Sequence, residues 1–243
     1  MTATEPGLTG RLTAFPLPAR GKDPVPAVLV LPGGAYLNHA SHESEPVARW
    51  LNDLGLAAFV LRYRVAPHRH PAPLTDAVAA LRAIRASAPR LGVDPARVGV
   101  LGFSAGGHLA ASLASGPGVE AADRPALAVL GYPVISFSQL PHLGSLTALL
   151  GEDATTAERR AASRELAVDP HTPPVFLWHT ADDEAVDVAH SLRYAEALTA
   201  AGVPVELHVL PHGRHGVGLA TGDPVVSRWT GWCAEWFRAH GWR

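Results

Sequence analysis

The sequence contains a single cysteine, a single lysine and no apolar run close to the roughly 20 residues of a membrane-spanning helix. Cys233 has no second cysteine in the chain with which to form a disulfide, so we expect a reducing compartment, the cytoplasm. The N-terminus has no positively charged segment followed by a long apolar run, and a secretory signal is therefore not expected. The net charge is −2 and the charges are spread along the chain, which argues against nucleic-acid binding and membrane binding.

Apolar runs rich in valine, leucine and alanine alternate with segments of helical periodicity over most of the 243 residues. This length, with 47% hydrophobic residues, fits a single α/β domain over residues 1–243. Strands are predicted at residues 8–18 (an edge strand), 25–31, 56–61, 97–101, 126–132, 175–179 and 205–210, and helices at residues 44–54, 76–86, 105–115, 189–201 and 225–239. This alternation predicts a mostly parallel central sheet with helices on both faces and reactive groups at the carboxyl ends of the strands.

One segment, residues 134–172, interrupts the alternation. Short helices are expected within it at residues 145–150 and 156–164. We interpret this segment as an inserted flap, which gives the domain a minimal cap.

A Gly-x-Ser-x-Gly motif occurs at residues 102–106, between the apolar strand at 97–101 and the small-residue helix at 105–115. A serine at such a strand-to-helix turn sits on a strained elbow, where only glycine is small enough on either side. The turn lifts the hydroxyl out of the sheet, and the amide N–H groups of the following helix point at the same spot. Ser104 is therefore the candidate nucleophile. A small-residue turn without chemistry is the alternative, and the flanking strand and helix disfavour it.

A serine hydroxyl needs a base within hydrogen-bonding reach and an acid that orients the base. On a sheet of this kind the chain order is serine, acid, histidine, so the acid should follow the strand at residues 175–179. Asp182, Asp183 and Glu184 occur there in succession. Asp183 is favoured because a valine that anchors the next turn follows it, and Asp182 is the alternative. Asp187 fits better as the N-cap of the next helix.

The base should follow the last strand, where residues 211–216 read Pro-His-Gly-Arg-His-Gly and offer two histidines. His215 is favoured because Gly216 lets the backbone turn so that the imidazole points inward. His212 is interpreted as a loop histidine.

A carbonyl under attack develops negative charge on its oxygen, and backbone N–H groups must stabilise that charge. One donor is expected at Ala105, directly after the candidate nucleophile. The others are expected from residues 32–36, Pro-Gly-Gly-Ala-Tyr, where a strand ends and glycines expose the backbone. A tight turn of no consequence is the alternative there.

Metal binding is not expected. His68 and His70 lie two residues apart in a polar loop and resemble a metal-binding pair, but no cysteine or acidic ligand is nearby. No other cofactor is implied by the sequence.

Six segments together carry a resemblance to a known family: Leu-Pro-Gly-Gly-Ala-Tyr at 31–36, Arg-Tyr-Arg-Val at 62–65, Gly-Phe-Ser-Ala-Gly-Gly-His at 102–108, Tyr-Pro-Val-Ile-Ser at 132–136, Trp-His-Thr-Ala-Asp-Asp-Glu at 178–184 and Gly-Arg-His-Gly at 213–216. They resemble the α/β-hydrolase family, in its esterase and lipase branch related to hormone-sensitive lipase. Within that branch they are similar to the small bacterial acetyl esterases and acetylxylan or feruloyl esterases. The resemblance covers nearly the whole chain, from about residue 25 to residue 236.

The resemblance implies roles for specific residues. The triad would be Ser104, Asp183 and His215, and the oxyanion hole would use the N–H groups of Gly34, Ala35 and Ala105. The chain departs from the family pattern at three positions: Pro32 and Ala35 replace the histidine and the last glycine of the His-Gly-Gly-Gly motif, and Asp187 stands where relatives often have proline.

The resemblance also implies an activity, that of a serine carboxylesterase acting through an acyl-enzyme on short-chain acyl esters, acetate above all. Acetylated carbohydrates or related small esters are the expected partners. The candidate pocket residues are Tyr36, Phe103 and His142. The segment at residues 142–145 recurs in the relatives and is expected either to form a flap that lines the acyl pocket or to begin a helix capped by Ser145.

Two other functions compete with this one. The Asp-Asp and His-Gly segments also resemble serine peptidases of the prolyl-oligopeptidase type, but those usually carry a propeller domain for which 243 residues leave no room. A non-catalytic binding module on the hydrolase fold usually lacks a triad residue, whereas candidates for all three are present here.

Overall fold

A computed structural model describes residues 10–17 and 23–242 of the chain. The strands within these residues are β1 (Leu12–Phe15), β2 (Val25–Leu31), β3 (Ala57–Leu61), β4 (Val93–Phe103), β5 (Ala128–Gly131), β6 (Val175–Thr180) and β7 (Val205–Leu210). They form one sheet in the order β1-β3-β2-β4-β5-β6-β7. β1 pairs antiparallel with β3, and every other neighbouring pair is parallel. The predicted mostly parallel sheet is confirmed.

The central strands are continuous apolar runs because helices cover the sheet on both sides. The helices are α1 (Glu45–Asp53), α2 (Ala72–Leu91), α3 (Ser104–Ser115), α4 (Leu143–Leu150), α5 (Thr156–Ala161), α6 (Ala189–Ala200) and α7 (Arg228–Ala239). Helices α2, α3, α4 and α6 pack on one face, with Leu81, Leu109 and Tyr194 in its core. Helices α1 and α7 pack on the other face, where Leu51 and Trp229 are fully buried.

Several boundaries differ from those predicted, each for a local reason. β4 begins at Val93 rather than at residue 97, because Val93 pairs with Val25 before the register shifts at a bulge. α2 begins at Ala72 rather than at residue 76, because proline is tolerated in the first turn of a helix. The predicted edge strand at residues 8–18 is observed at Leu12–Phe15, and residues 8, 9 and 18 lie outside the described residues.

The segment at residues 134–172 contains α4, α5 and a short 3₁₀ helix, Arg164–Leu166. α5 ends at Ala161 rather than at residue 164. A capping box formed by Thr155 and Glu158 fixes its start. Among the described residues, no helix combines the length and the apolar character needed to span a bilayer.

The parallel strands β2, β4, β6 and β7 all end at the same edge of the sheet. The loop after β2 begins at Pro32, Ser104 follows β4, Asp183 follows β6, and His215 follows β7. The fold therefore brings chemistry-bearing residues together from four distant parts of the chain.

Candidate active site

Ser104 occupies a strained turn between β4 and α3. Its φ is 52°, in the left-handed region that non-glycine residues rarely adopt. The turn is tight, because a Cβ atom on Gly106 would lie 2.0 Å from the carbonyl oxygen of Leu31. A Cβ atom on Gly102 would lie 2.2 Å from the carbonyl oxygen of Gly106. Both glycines of the motif are therefore needed for the backbone to reach this conformation.

The side chains of Ser104, His215 and Asp183 form one continuous line of hydrogen bonds. The Oγ atom of Ser104 lies 2.8 Å from Nε2 of His215. The Nδ1 atom of His215 lies 2.7 Å from Oδ2 of Asp183. Because the carboxylate can only accept, Nδ1 carries the proton and Nε2 is left free to accept from the serine hydroxyl.

Asp183 is buried but well supplied with hydrogen-bond donors. Its Oδ1 accepts from the N–H groups of Ala185 (2.9 Å) and Val186 (3.0 Å). Nε2 of the fully buried His179 lies 3.4 Å from its Oδ2. Burial alone would raise the pKa of Asp183, but the hydrogen bonds from His179, His215 and Val186 hold that pKa well below its usual value. The carboxylate is thus charged at neutral pH.

The alternative acid and the alternative base contact each other instead of the serine. Oδ2 of Asp182 lies 2.9 Å from Nδ1 of His212, and Oδ1 accepts from the Gly213 N–H at 2.8 Å. Both side chains are exposed, with 52% and 85% of their side-chain surface accessible. Asp182 therefore fastens the loop that carries His215. Asp187, expected as an N-cap, accepts from the Ala189 N–H at 2.8 Å, while Val188 occupies the cap position.

The loop after β2 lies directly against the candidate nucleophile, since a Cβ atom on Gly33 would be 3.0 Å from Cβ of Ser104. Ala35 has a φ of 56° and Gly34 a φ of 129°. Within the described residues, the N–H groups of Gly34 and Ala35 donate to no protein acceptor. Ala105 lies in the first turn of α3, where backbone N–H groups have no partner inside the helix. These three N–H groups are therefore available for an oxyanion.

Glu43, which no sequence pattern singled out, is a buried carboxylate at the same place. It lies in a 3₁₀ helix, Ser41–Glu43, and is only 1% exposed. Oε2 accepts from the Gly33 N–H at 2.7 Å, and Oε1 accepts from the Tyr132 hydroxyl at 2.5 Å. Glu43 is held by Gly33, 10 positions away in the sequence, and by Tyr132, 89 positions away. A single sequence does not reveal such contacts.

The three predicted pocket residues have different environments. Tyr36 is 1% exposed and bonds Nδ1 of His108 through its hydroxyl, and Phe103 is fully buried against Tyr132 and Trp229. The prediction that these two side chains line the pocket is therefore wrong. The core encloses both, so neither offers a substrate any accessible surface.

His142 is partly exposed and within electrostatic range of His215. Burial, and to a lesser extent the charge of His215, lower the pKa of its imidazole. Its Nδ1 accepts from the Ser145 N–H at 3.2 Å, so His142 is the N-cap of α4 and Ser145 is not. A neutral His142 then carries its proton on Nε2.

An open surface depression reaches the candidate base and is lined by Asp182, Glu184, Ala185, Gly213, Arg214 and His215. No three histidine, cysteine or acidic side chains of residues 10–17 and 23–242 lie together as metal ligands. The arrangement places a hydroxyl, an imidazole, a buried carboxylate and unpaired N–H donors side by side.

Comparison with known proteins gives a consistent set of matches. A family model described as alpha/beta hydrolase fold matches residues 28–219. Endo-1,4-beta-xylanase B of Butyrivibrio fibrisolvens is 37% identical over 84% of this chain and 34% of its own length. An acetylxylan esterase of Xylanibacter ruminicola is 34% identical over 80% of this chain and 42% of its own length. The chain therefore spans less than half of the length of either relative.

Among solved structures, the acetyl ester-xyloside bifunctional hydrolase from Caldicellulosiruptor lactoaceticus superposes with a TM-score of 0.90. It is 46% identical in sequence, and the match covers 98% of this chain and 90% of that one. The similarity thus extends through the whole sheet and the residues at its carboxyl edge.

Proposed function

The chain belongs to the α/β-hydrolase fold family, and on that premise we propose that it is a serine carboxylesterase acting on short-chain acyl esters. The observation that carries the proposal is the unbroken line of hydrogen bonds from Ser104 through His215 to Asp183. An alcohol becomes a useful nucleophile at neutral pH only when a base accepts its proton as it attacks.

In the proposed reaction, Ser104 Oγ attacks the ester carbonyl while Nε2 of His215 accepts its proton. The imidazolium then donates that proton to the oxygen of the leaving alcohol, and the acyl group stays on Ser104. A water molecule, deprotonated by His215, attacks the acyl-enzyme and releases the carboxylic acid. Asp183 stabilises the imidazolium in both steps because its carboxylate stays charged.

The N–H groups of Gly34, Ala35 and Ala105 are the proposed donors to the oxyanion of each tetrahedral intermediate. Their positions next to Ser104 and their lack of other acceptors support this role. Such donors act because they are already oriented where the negative charge develops.

We propose acetyl esters of carbohydrates as the substrate class. The support is the similarity to a protein named acetylxylan esterase and to one named acetyl ester-xyloside bifunctional hydrolase. His142 is the proposed contact to substrate from the inserted segment, residues 134–172, because its imidazole is within electrostatic range of His215 and Asp183. We expect this segment to act as the flap over the site.

Ser104→Ala tests the proposal on p-nitrophenyl acetate and on acetylated xylo-oligosaccharides. We expect the variant to lose all but a trace of the hydrolysis shown by the wild-type protein. Ser112→Ala is the matched control, because Ser112 lies two turns later on α3 and its hydroxyl donates to the His108 carbonyl. Substantial hydrolysis by Ser104→Ala, or activity on proline-containing peptides and none on esters, would contradict the proposal.

A further inference from the structure

Two loops of the site are joined by a pair of buried side chains, Glu43 and Tyr132, which we call the Glu43–Tyr132 bridge. At one end, Oε2 of Glu43 accepts from the Gly33 N–H at 2.7 Å. In the middle, the Tyr132 hydroxyl donates to Oε1 of Glu43 at 2.5 Å. At the other end, the Tyr132 oxygen accepts from the Gly218 N–H at 2.8 Å.

The bridge ends at the backbones of Gly33 and Gly218, which belong to the two loops that carry the proposed oxyanion donors and His215. Gly33 directly precedes Gly34, the first of the two loop N–H groups assigned to the oxyanion. Gly218 lies three residues after His215, on the same loop. The ring of Tyr132 also packs on the His215 imidazole, with 4.9 Å between the ring centres.

Within the part of the chain that the structure describes, the carboxylate of Glu43 is buried without an arginine or lysine partner to balance its charge. Among the described residues, no arginine or lysine nitrogen lies within 4 Å of it, and its nearest cationic candidate is His42 Nε2 at 3.8 Å. A buried carboxylate of this kind is costly unless it receives hydrogen bonds. By contrast, the buried Asp76 on α2 is held by Arg11 and Arg64.

The bridge is directional because the carboxylate only accepts hydrogen bonds. Burial and the neighbouring Glu43 raise the pKa of Tyr132 well above its usual value, so its hydroxyl keeps its proton and donates. An amide in place of the carboxylate would turn a donor towards either the Gly33 N–H or the Tyr132 hydroxyl. With the amide N–H towards Gly33, the Gly33 N–H loses its acceptor. With the amide N–H towards Tyr132, it donates to the phenol oxygen and the Tyr132 hydroxyl proton loses its acceptor.

We propose that Glu43 and Tyr132 are positioning residues that set the oxyanion loop and the His215 loop relative to each other. This inference rests on the proposed function, because it assigns the two residues a part in that reaction. Neither the Glu43 carboxylate nor the Tyr132 hydroxyl hydrogen-bonds to Ser104 or His215, and each acts through the backbone that it holds. The Tyr132 ring, which Tyr132→Phe retains, also packs against the His215 imidazole. His42, next to Glu43, makes an exposed hydrogen bond to the His215 loop as well: its Nε2 donates to the Gly216 carbonyl at 2.8 Å.

The test compares Glu43→Gln, Tyr132→Phe and the double variant with the wild-type protein in ester hydrolysis. We expect each single variant to lower kcat by roughly 10- to 100-fold, because displacements on the ångström scale have such effects. KM should change little. The double variant should be no slower than the slower single variant, because each substitution interrupts the same bridge.

Asp76→Asn is the matched control for the loss of a buried carboxylate. It should lower the thermal midpoint while leaving kcat unchanged, because the carboxylate of Asp76 accepts from Arg11 and Arg64, which belong to neither loop. If Glu43→Gln does not fold, Tyr132→Phe still decides the question. Folded single variants with the kcat of the wild-type protein, or losses that multiply in the double variant, would overturn the inference.

A second readout separates this inference from the proposed function. The Nδ1 proton of His215 should give a downfield NMR resonance because it is held by Asp183. Tyr132→Phe should shift or broaden that resonance and Asp76→Asn should not, whether or not the protein hydrolyses the esters offered. An inactive wild-type protein refutes the proposed function alone, whereas an unchanged resonance in Tyr132→Phe refutes the bridge.

Discussion

His215 and Asp183, 32 residues apart in the chain, lie with Nδ1 and Oδ2 2.7 Å from each other, while the adjacent Asp182 contacts His212 instead. Two acidic residues in succession therefore point to opposite sides of the loop after β6. One is buried under the loop with its donors, and the other is exposed at its surface. The difference in environment, rather than in residue type, gives the two carboxylates different histidine partners.

The first prediction uses this pair. Asp183→Asn should lower kcat by roughly 10³- to 10⁴-fold, because an amide favours the wrong tautomer of the histidine. Asp182→Asn should have little effect on kcat, since its carboxylate only fastens the neighbouring loop. Steady-state kinetics on p-nitrophenyl acetate measure both. Equal losses in the two variants would refute the assignment of the acid.

The second prediction concerns pH and the ion pair between Asp169 and Arg124. Two hydrogen bonds of 2.7 Å from the guanidinium lower the pKa of Asp169 to about 2. Because the folded-state pKa is depressed, the stabilisation is present above the unfolded-state value near pH 4 and is lost as the pH falls towards 2.

Asp169→Asn should therefore lower the free energy of unfolding by about 1 kcal/mol at pH 7, a value reduced for the partial exposure of the pair. Urea denaturation at pH 7 and at the lowest pH where the protein folds would measure the difference between variant and wild type. The difference should shrink at low pH. A constant difference would contradict the linkage.

The third prediction contrasts two glycines in helices. In Gly106→Ala the new Cβ would meet the Leu31 carbonyl at 2.0 Å, which should cost about 3 kcal/mol or more or prevent folding. Gly231, in α7, has open space around the same position, so Gly231→Ala should stabilise the fold by about 0.5–1 kcal/mol. Thermal denaturation distinguishes the two. Gly106→Ala with wild-type stability would show that the elbow is less tight than described.

The fourth prediction separates two roles of His142. Asparagine is a good N-cap, so His142→Asn should keep α4 intact while removing the imidazole from the site. KM for acetylated substrates should rise roughly 2- to 10-fold, the range expected for one lost hydrogen bond, with the thermal midpoint unchanged. A lower thermal midpoint with an unchanged KM would show that His142 serves α4 alone.

Periodicity predicted the strands and helices of the fold well because buried strands are almost wholly apolar and their ends carry glycine or proline. It missed the start of α2 at Ala72, since prolines that signal a loop are also accepted in the first turn of a helix. It also missed the start of β4 at Val93, which depends on pairing with Val25 across the sheet.

For the site, chain order and local glycines indicated Ser104, Asp183 and His215, whose side chains the structure brings into contact. Glu43 could not be found this way, because only its hydrogen bonds to Gly33 and to the distant Tyr132 place it at the site. Tyr36 was predicted as a pocket residue, but its side chain is buried in the core and its hydroxyl bonds His108, a contact 72 residues away in the sequence.

The most direct test of the central claim is the site and rate of covalent labelling by a fluorophosphonate, followed by intact-protein and peptide mass spectrometry. If Ser104 is the nucleophile and His215 its base, labelling should give one adduct per chain, located on Ser104, and a far slower reaction in His215→Ala. Labelling at another residue, or labelling of His215→Ala at the wild-type rate, would contradict that claim.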